Sequence, residues 1–495
     1  MRKASIFLIL IGCRLTVASQ YFKITDNCRN AYRTAIALQF DSSKRFLQEE
    51  KRTTPGNLFI VYVENYIDFL QIYSSGSRKA YDALQNNQDL RLNQLEEGDK
   101  NSPYFLYTKA EVNLQWALIN VQMGDYLKAV WSLRSAFQQL KENQKRFPQF
   151  QANKKSLGVI NALLGSVPDN YKWGLSLFGM SADAGEGIHY LEELQQYSAG
   201  NDFLFDREST ILYSFLLLHL QNQPQKAWDV LNEKKFPAPG NLMERYAYCY
   251  VGVYSKHTDA ILNLRKNDRN FATENDRFPM LHFLTGLAYL NHLDNKDAAI
   301  YFQHFLLVNR NENHIKAAYQ KLAWIAALKN DTAGYFRRMN DVRKYGKSTM
   351  DADKQAQKEA ETNRFPQLAF LQARLFFDGG YYEKAIEALN EKPAVAYTDV
   401  ASQTEYFYRA GRIFHEWGKT EDAVICYKKA MECGKNLQRY FAPNAAYELG
   451  LIAEQRNDKT LAATYFHYVM NFREHEYKNS LDQKAKAALT RLNKK

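Results

Sequence analysis

Apolar residues recur along this chain at the three-and-four spacing of helix faces, and the helical runs come in pairs. In YRAGRIFHEWGKTEDAVICYKKA, Phe407, Ala410, Gly411 and Phe414 share one face of a first helix. A turn follows at Trp417-Gly418-Lys419, and Ala423, Tyr427 and Ala430 share one face of a second helix. Gly411 and Ala423 are small residues twelve positions apart, placed where two helices must approach closely. The same pair recurs as Gly450 and Ala462, Ala373 and Ala385, Gly286 and Ala298, and Ala117 and Ala129, the last around the turn Gly124-Asp125-Tyr126. Weaker copies surround Ala227 and Ala323.

This pattern fits the tetratricopeptide repeat, a helix–turn–helix unit with a usual period of about 34 residues. Ala385 to Ala423 spans 38 residues and Ala423 to Ala462 spans 39, so these units carry longer connections. The expected fold is all-α, a tetratricopeptide-like solenoid of antiparallel helix pairs. Residues 57–75 read as an apolar helix ending in serines. At the end of the chain, Leu481, Ala485, Ala488, Leu489 and Leu492 mark one side of a helix whose other side is lysine-rich, suited to cap the last repeat. GKSTMDADKQAQKEAETNR, residues 346–364, is polar nearly throughout and predicts a linker or solvated helix. The expected division is therefore a leader at 1–19, a helical block at 20–345, that linker at 346–364, and repeats with a cap at 365–495.

Composition supports a large core: 46% of residues are hydrophobic and 24% charged. The 33 tyrosines and 30 phenylalanines suit packing between stacked helices. Net charge is +11, but the basic residues are spread without a run of five or six, so no nucleic-acid partner is expected. MRKASIFLILIGCRLTVASQ has a basic start, a short apolar stretch and small residues before Gln20, as an export signal does. Two readings stay open: cleavage near Ser19, or a lipoprotein box with Cys13 as the acylated residue. Neither leaves a membrane-spanning helix, so membrane contact is expected only through a lipid tether, and the location is periplasmic or at the outer membrane. The remaining cysteines read as packed thiols; Cys426 and Cys433 lie about 10 Å apart along one helix, too far for a bridge.

Tests for chemistry mostly fail. GLSLFGMS, residues 174–181, has the glycine spacing of a phosphate loop, but Met180 stands where the lysine should be and the preceding segment reads as helix. GKST at 346–349 has Asp341 in place of the first glycine. His415-Glu416 lacks a second histidine one helical turn on, and Glu474-His475-Glu476 are adjacent residues that point apart. No catalytic residue, metal site or cofactor is expected.

SLGVINALLGSVPDNYKWGLSLFGMSADAGEGIHYLEEL, residues 156–194, resembles an element of the tetratricopeptide family that includes fungal inclusion-body clearance protein and tetratricopeptide repeat protein 39. Lys172-Trp173, Gly179-Met180-Ser181-Ala182-Asp183 and Gly187-Ile188 match in order, while Met180 and Ala182 depart from the commonest form. The closing stretch from Tyr440-Phe441-Ala442-Pro443 is similar to the same family's last repeats. The resemblance implies a helical-repeat fold without known catalysis and carries over no binding residues. It makes GLSLFGMS a structural element: Gly174 and Gly179 for a bend, Asp183 as the cap of the following helix. The eukaryotic relatives lack an export signal, so their cellular roles transfer poorly.

The function expected from the residues is a scaffold for protein partners. First helices of successive pairs line the concave face of a solenoid. That register puts Phe370, Arg374 and Phe377 in a groove, then Tyr408, Arg412 and His415, then Tyr447, Leu451 and Glu454. Arginines beside aromatic rings suit a peptide or helix partner, although the same residues also suit ordinary packing. The alternative is an outer-membrane glycan-binding lipoprotein, which would carry more tryptophan than the six present.

Overall fold

The computed structural model of the chain describes residues 20–165, 180, 183–267, 274–475 and 477–493. Regular structure among them is helical, with no β-strand. Contacts divide the chain into two units: residues up to Gln223 with Val230–Glu244 form the first, and Pro224–Asp229 with Arg245 onwards the second.

The first unit begins with α1 (Asp26–Ile36), α2 (Phe40–Thr53), α3 (Phe59–Ser75), α4 (Arg78–Leu84) and α5 (Asn87–Glu96). It continues with α6 (Pro103–Met123), α7 (Tyr126–Arg146), α8 (Ala152–Gly165), α9 (Ala184–Gly200) and α10 (Asp206–His219). α1 pairs with α2, α6 with α7, and α8 with α9. Tyr32, Tyr62, Tyr66, Tyr107 and Phe205 fill its centre, with the Tyr32 and Tyr66 rings stacked at 4.8 Å. Inside that aromatic shell Lys155 lies 2.6 Å from Glu111 and 2.9 Å from Glu208. Tyr32 and Ser156 donate to the same two carboxylates, so the buried charges are paired and hydrogen-bonded.

Asp183 caps α9, as the family resemblance implies, accepting from the Glu186 amide at 2.8 Å. Gly187 requires its lack of a side chain: a Cβ there would meet the Ala162 amide at 2.4 Å and the Gly158 carbonyl at 2.5 Å, so α8 and α9 cross backbone to backbone. Met180 is buried. Gly174, Gly179 and most of the GLSLFGMS stretch lie outside the described residues, as do Cys13 and the leader at 1–19.

Two helices run across the division: α11 (Pro224–Glu233) and α12 (Leu242–Tyr254). The second unit then follows as α13 (Thr258–Asn267), α14 (Met280–Asn291), α15 (Asn295–Val308), α16 (Ile315–Leu328) and α17 (Thr332–Lys344). After α18 (Asp351–Thr362) come α19 (Leu368–Asp378), α20 (Tyr382–Asn390), α21 (Val400–Glu416), α22 (Thr420–Gly434), α23 (Phe441–Gln455), α24 (Lys459–Asn471) and α25 (Lys478–Asn493). Helices pair as α14/α15, α16/α17, α19/α20, α21/α22 and α23/α24, joined by short turns that make each pair antiparallel. The three glycines predicted from the repeat sit at these crossings, each against a ring sixteen positions on: Gly286 against Phe302, Gly411 against Tyr427, Gly450 against Phe466. α25 closes the stack with Leu481, Ala485, Ala488 and Leu492 buried in the cluster around Phe466.

Most of the polar stretch at 346–364 is helical. It contains α18, packed on α16 and α17, and the division of the chain falls near 223–245. Ala356 and Ala360 enter the core, and the buried Asp353 accepts from the His314 and Ala317 amides at 2.7 and 3.0 Å. A carboxylate brought from another helix thus serves as the N-terminal cap of α16. Hydrophobicity does not reveal such a helix, because it buries two methyl groups and a capping acid.

Candidate functional site

In the second unit, α16, α18, α19 and α21 wall a cleft of about 630 Å³. Arg374, Phe377 and Asp378 come from α19; Tyr408, Arg409 and Arg412 from α21; Gln355, Lys358 and Glu359 from α18. Tyr440 and Tyr477, each just before a helix, complete the wall. The cleft shares Gln355, Arg374 and Asp378 with a recess of about 260 Å³ that adds Tyr254, Lys256, Lys321 and Trp324. Cations on these walls are Lys256, Lys321, Lys358, Arg374, Arg409 and Arg412; the carboxylates on them are Glu359 and Asp378.

Helical spacing explains the array. Tyr408 and Arg412 are one turn apart, so they stand over each other on α21, with the Arg412 guanidinium donating to the Tyr408 hydroxyl at 3.4 Å. Arg412 also lies 5.3 Å from the Phe377 ring, which joins α21 to α19. Arg374 lies 4.8 Å from the Trp324 ring and Lys321 3.6 Å from it, so α19 meets α16 at one indole. That indole is fixed by its own N–H, which donates to Glu359 of α18 at 2.8 Å. The cations therefore sit on aromatic faces, where ring quadrupoles attract them and desolvation strengthens the attraction.

Not every cation is equally committed. Arg409 is held by Glu405 at 2.6 Å, Lys256 by Glu416 at 2.9 Å and Arg374 by Asp378 at 3.7 Å. Lys321 and Arg412 have neutral hydrogen-bond partners, Gln320 and Tyr408. Burial, then the nearby Arg374 guanidinium, pull the Lys321 ammonium down to about 7, against the opposing pull of Glu359 and Asp378. Burial also pulls the Lys256 ammonium down, partly offset by Glu416. The recess thus holds positive charge at a cost that an incoming anion would relieve.

Of the residues assigned to the groove from sequence, Arg374, Phe377, Tyr408 and Arg412 stand on this wall. Phe370 lies behind it, buried and stacked on Tyr397 at 5.0 Å. His415 faces Glu448 at 3.6 Å, Tyr447 packs on Phe466, and Glu454 holds Arg491 of α25 through contacts of 2.7 and 2.6 Å. Leu451 packs partly buried against the same last cluster as Tyr447. These later positions hold α21 to α23 and α23 to the terminal helix. Lys321, Lys358, Glu359, Arg409, Tyr440 and Tyr477 were missed. Arg409 has a visible signal, one turn before Arg412 on the same helix; the α18 residues have none, because that stretch reads as a linker or a solvated helix.

The cysteines are unbridged among the described residues. Cys28 and Cys249 are buried, with burial pushing their thiols up to about 11 and about 12. Cys426 and Cys433 are half-buried, more open than packed thiols were expected to be.

A different cluster, not foreseen from sequence, joins Asp276, His282 and His304, whose ligand atoms lie within 4.8 Å of one another. No described helix is long and apolar enough to cross a membrane.

The tetratricopeptide repeat family profile matches residues 404–432, which cover most of α21 and α22. A chain in the crystal structure of the APC/C hetero-tetramer Cut9–Hcn1 aligns over 95% of this chain and 97% of its own, at 10% identity and a TM-score of 0.25. No curated protein sequence matches the chain.

Proposed function

We propose that the protein is a non-enzymatic scaffold that binds a protein partner, and that the cleft of the second unit takes an extended, acidic segment of that partner. The observation that carries this reading is the wall itself: six cations and two carboxylates set among Trp324, Phe377, Tyr408 and Tyr440, with Lys321, Arg374, Arg409 and Arg412 on the first helices of three helix pairs. Guanidinium groups on aromatic faces give an acidic peptide both charge-assisted hydrogen bonds and apolar surface. The repeat profile at α21 and α22 supports the scaffold class. The leader-like start of the chain supports an exported scaffold acting in the cell envelope, free or tethered through Cys13. The finer resemblance to tetratricopeptide repeat protein 39 rests on the element at 156–194, with the Asp183 cap and the Gly187 crossing in its favour.

The test is binding of fluorescent peptides of one length that are acidic, neutral or lysine-rich, measured by anisotropy at two salt concentrations. Acidic peptides should bind best and weaken with salt. Arg374→Ala with Arg412→Ala should remove two charged contacts of about 1.5–3 kcal/mol each and cost at least about a hundredfold in affinity. Equal binding of all three peptides, or no loss in the double variant, overturns the cleft as the binding site. Retention of polysaccharide with no peptide bound would favour the glycan-binding alternative.

A further inference from the structure

We propose that Asp276, His282 and His304 form a binding site for a divalent transition-metal ion of zinc's size and ligand preference, held by one carboxylate oxygen and two imidazole nitrogens. The three residues come from different pieces of the second unit. Asp276 lies in the turn before α14, His282 in the first turn of α14, and His304 on α15, its antiparallel partner. Because they are separated by 6 and 28 positions from Asp276, no sequence spacing announces them.

The geometry is convergent. His282 Nε2 lies 2.8 Å and His304 Nε2 2.7 Å from the same atom, Asp276 Oδ1, and the two rings meet edge to face at 4.4 Å. Two imidazole nitrogens directed at one carboxylate oxygen mark a point where three ligand atoms converge. Around zinc, with bonds of about 2.0–2.1 Å, ligand atoms stand about 3.3 Å apart at the corners of a tetrahedron. Each nitrogen would move from the oxygen by about 0.5 Å to reach that spacing. His304 is 38% exposed and Asp276 46%, so both can make that movement at the protein surface. His282, 1% exposed, is the fixed member.

The chemistry also suits a metal. Two imidazoles and a carboxylate are the donors that zinc and its neighbours prefer over calcium or magnesium. The exposed side, between Asp276 and His304, leaves room for water as a fourth ligand, as in three-ligand zinc sites. An ion here would tie the turn before α14 to both helices of the α14/α15 pair.

The test uses the full chain without a polyhistidine tag, stripped with a chelator. Zinc is titrated in competition with a chromophoric chelator, and cobalt in parallel to read coordination from its visible spectrum. Wild type should bind one more zinc than Asp276→Asn/His304→Ala, with the affinity at this site falling about 100-fold or more in the double variant. Cobalt should give an intense four- or five-coordinate spectrum that the variant lacks. Circular dichroism checks that the variant is folded; if it is not, His304→Ala alone, on the exposed face of α15, decides the matter. Equal zinc stoichiometry in wild type and variant, or a cobalt spectrum no different from that of the aqueous ion, overturns the site.

Discussion

Lys321 shows how far one side chain's environment can depart from its spelling in the sequence. It reads as one more helix-surface lysine, yet its ammonium lies over Trp324 beside Arg374, and burial brings it down to about 7. The sign of the consequence follows from that direction. The unfolded chain keeps this lysine charged up to its ordinary value of about 10.4, whereas the folded chain releases the proton from about pH 7 upwards. The folded state therefore bears a buried charge below pH 7 and is relieved of it as pH rises towards 10. Wild type should gain stability relative to Lys321→Met between pH 7 and 10, measured by urea unfolding at several pH values. An acidic peptide in the recess should hold the proton on, so its affinity should be higher at pH 6 than at pH 8 in wild type, with a smaller pH difference in Lys321→Met. Arg374 and Arg412 were legible from helix register, since residues one turn apart share a face. The contact of Lys321 with Trp324, one turn on along α16, is of the same legible kind; the neighbouring Arg374 is not, because it comes from α19, a helix far along the chain.

At the scale of elements, the repeat hairpins are the legible part and α18 the illegible one. Gly411 and Ala423 mark a crossing because small residues at fixed spacing have few other reasons to recur. The ring that needs the space, Tyr427, appears only once the helices are packed. α18 carries no such mark. Its role rests on Asp353, which replaces a local cap by one from a helix 36 positions further along the chain than Ala317. Asp353→Ala should leave two amides at the start of α16 without their acceptor and cost about 1–3 kcal/mol in urea unfolding. Asp351→Ala, on the exposed end of the same helix, should stay within about 0.5 kcal/mol of wild type. A large loss in both would mean that the helix as a whole, and not the cap, is what matters.

Across the whole molecule, a cut where the sequence turns polar and a cut where contacts are sparse give different proteins. Leu371 and Leu375 of α19 are buried in one cluster with Trp324, Ala356 and Ala360, so α19 shares its core with α16 and α18. A fragment of residues 365–495 should expose that face and melt broadly, whereas residues 242–495 should keep it and melt cooperatively, as circular dichroism would show. The pattern along the chain was enough for the all-α class, the paired helices and the terminal cap, since each depends on neighbours within a turn or a hairpin. The position of the division, the membership of α18, the basic cleft and the Asp276–His282–His304 cluster depend on which helices lie side by side. That choice is made by packing between segments far apart in sequence, where helical periodicity carries no information about partners.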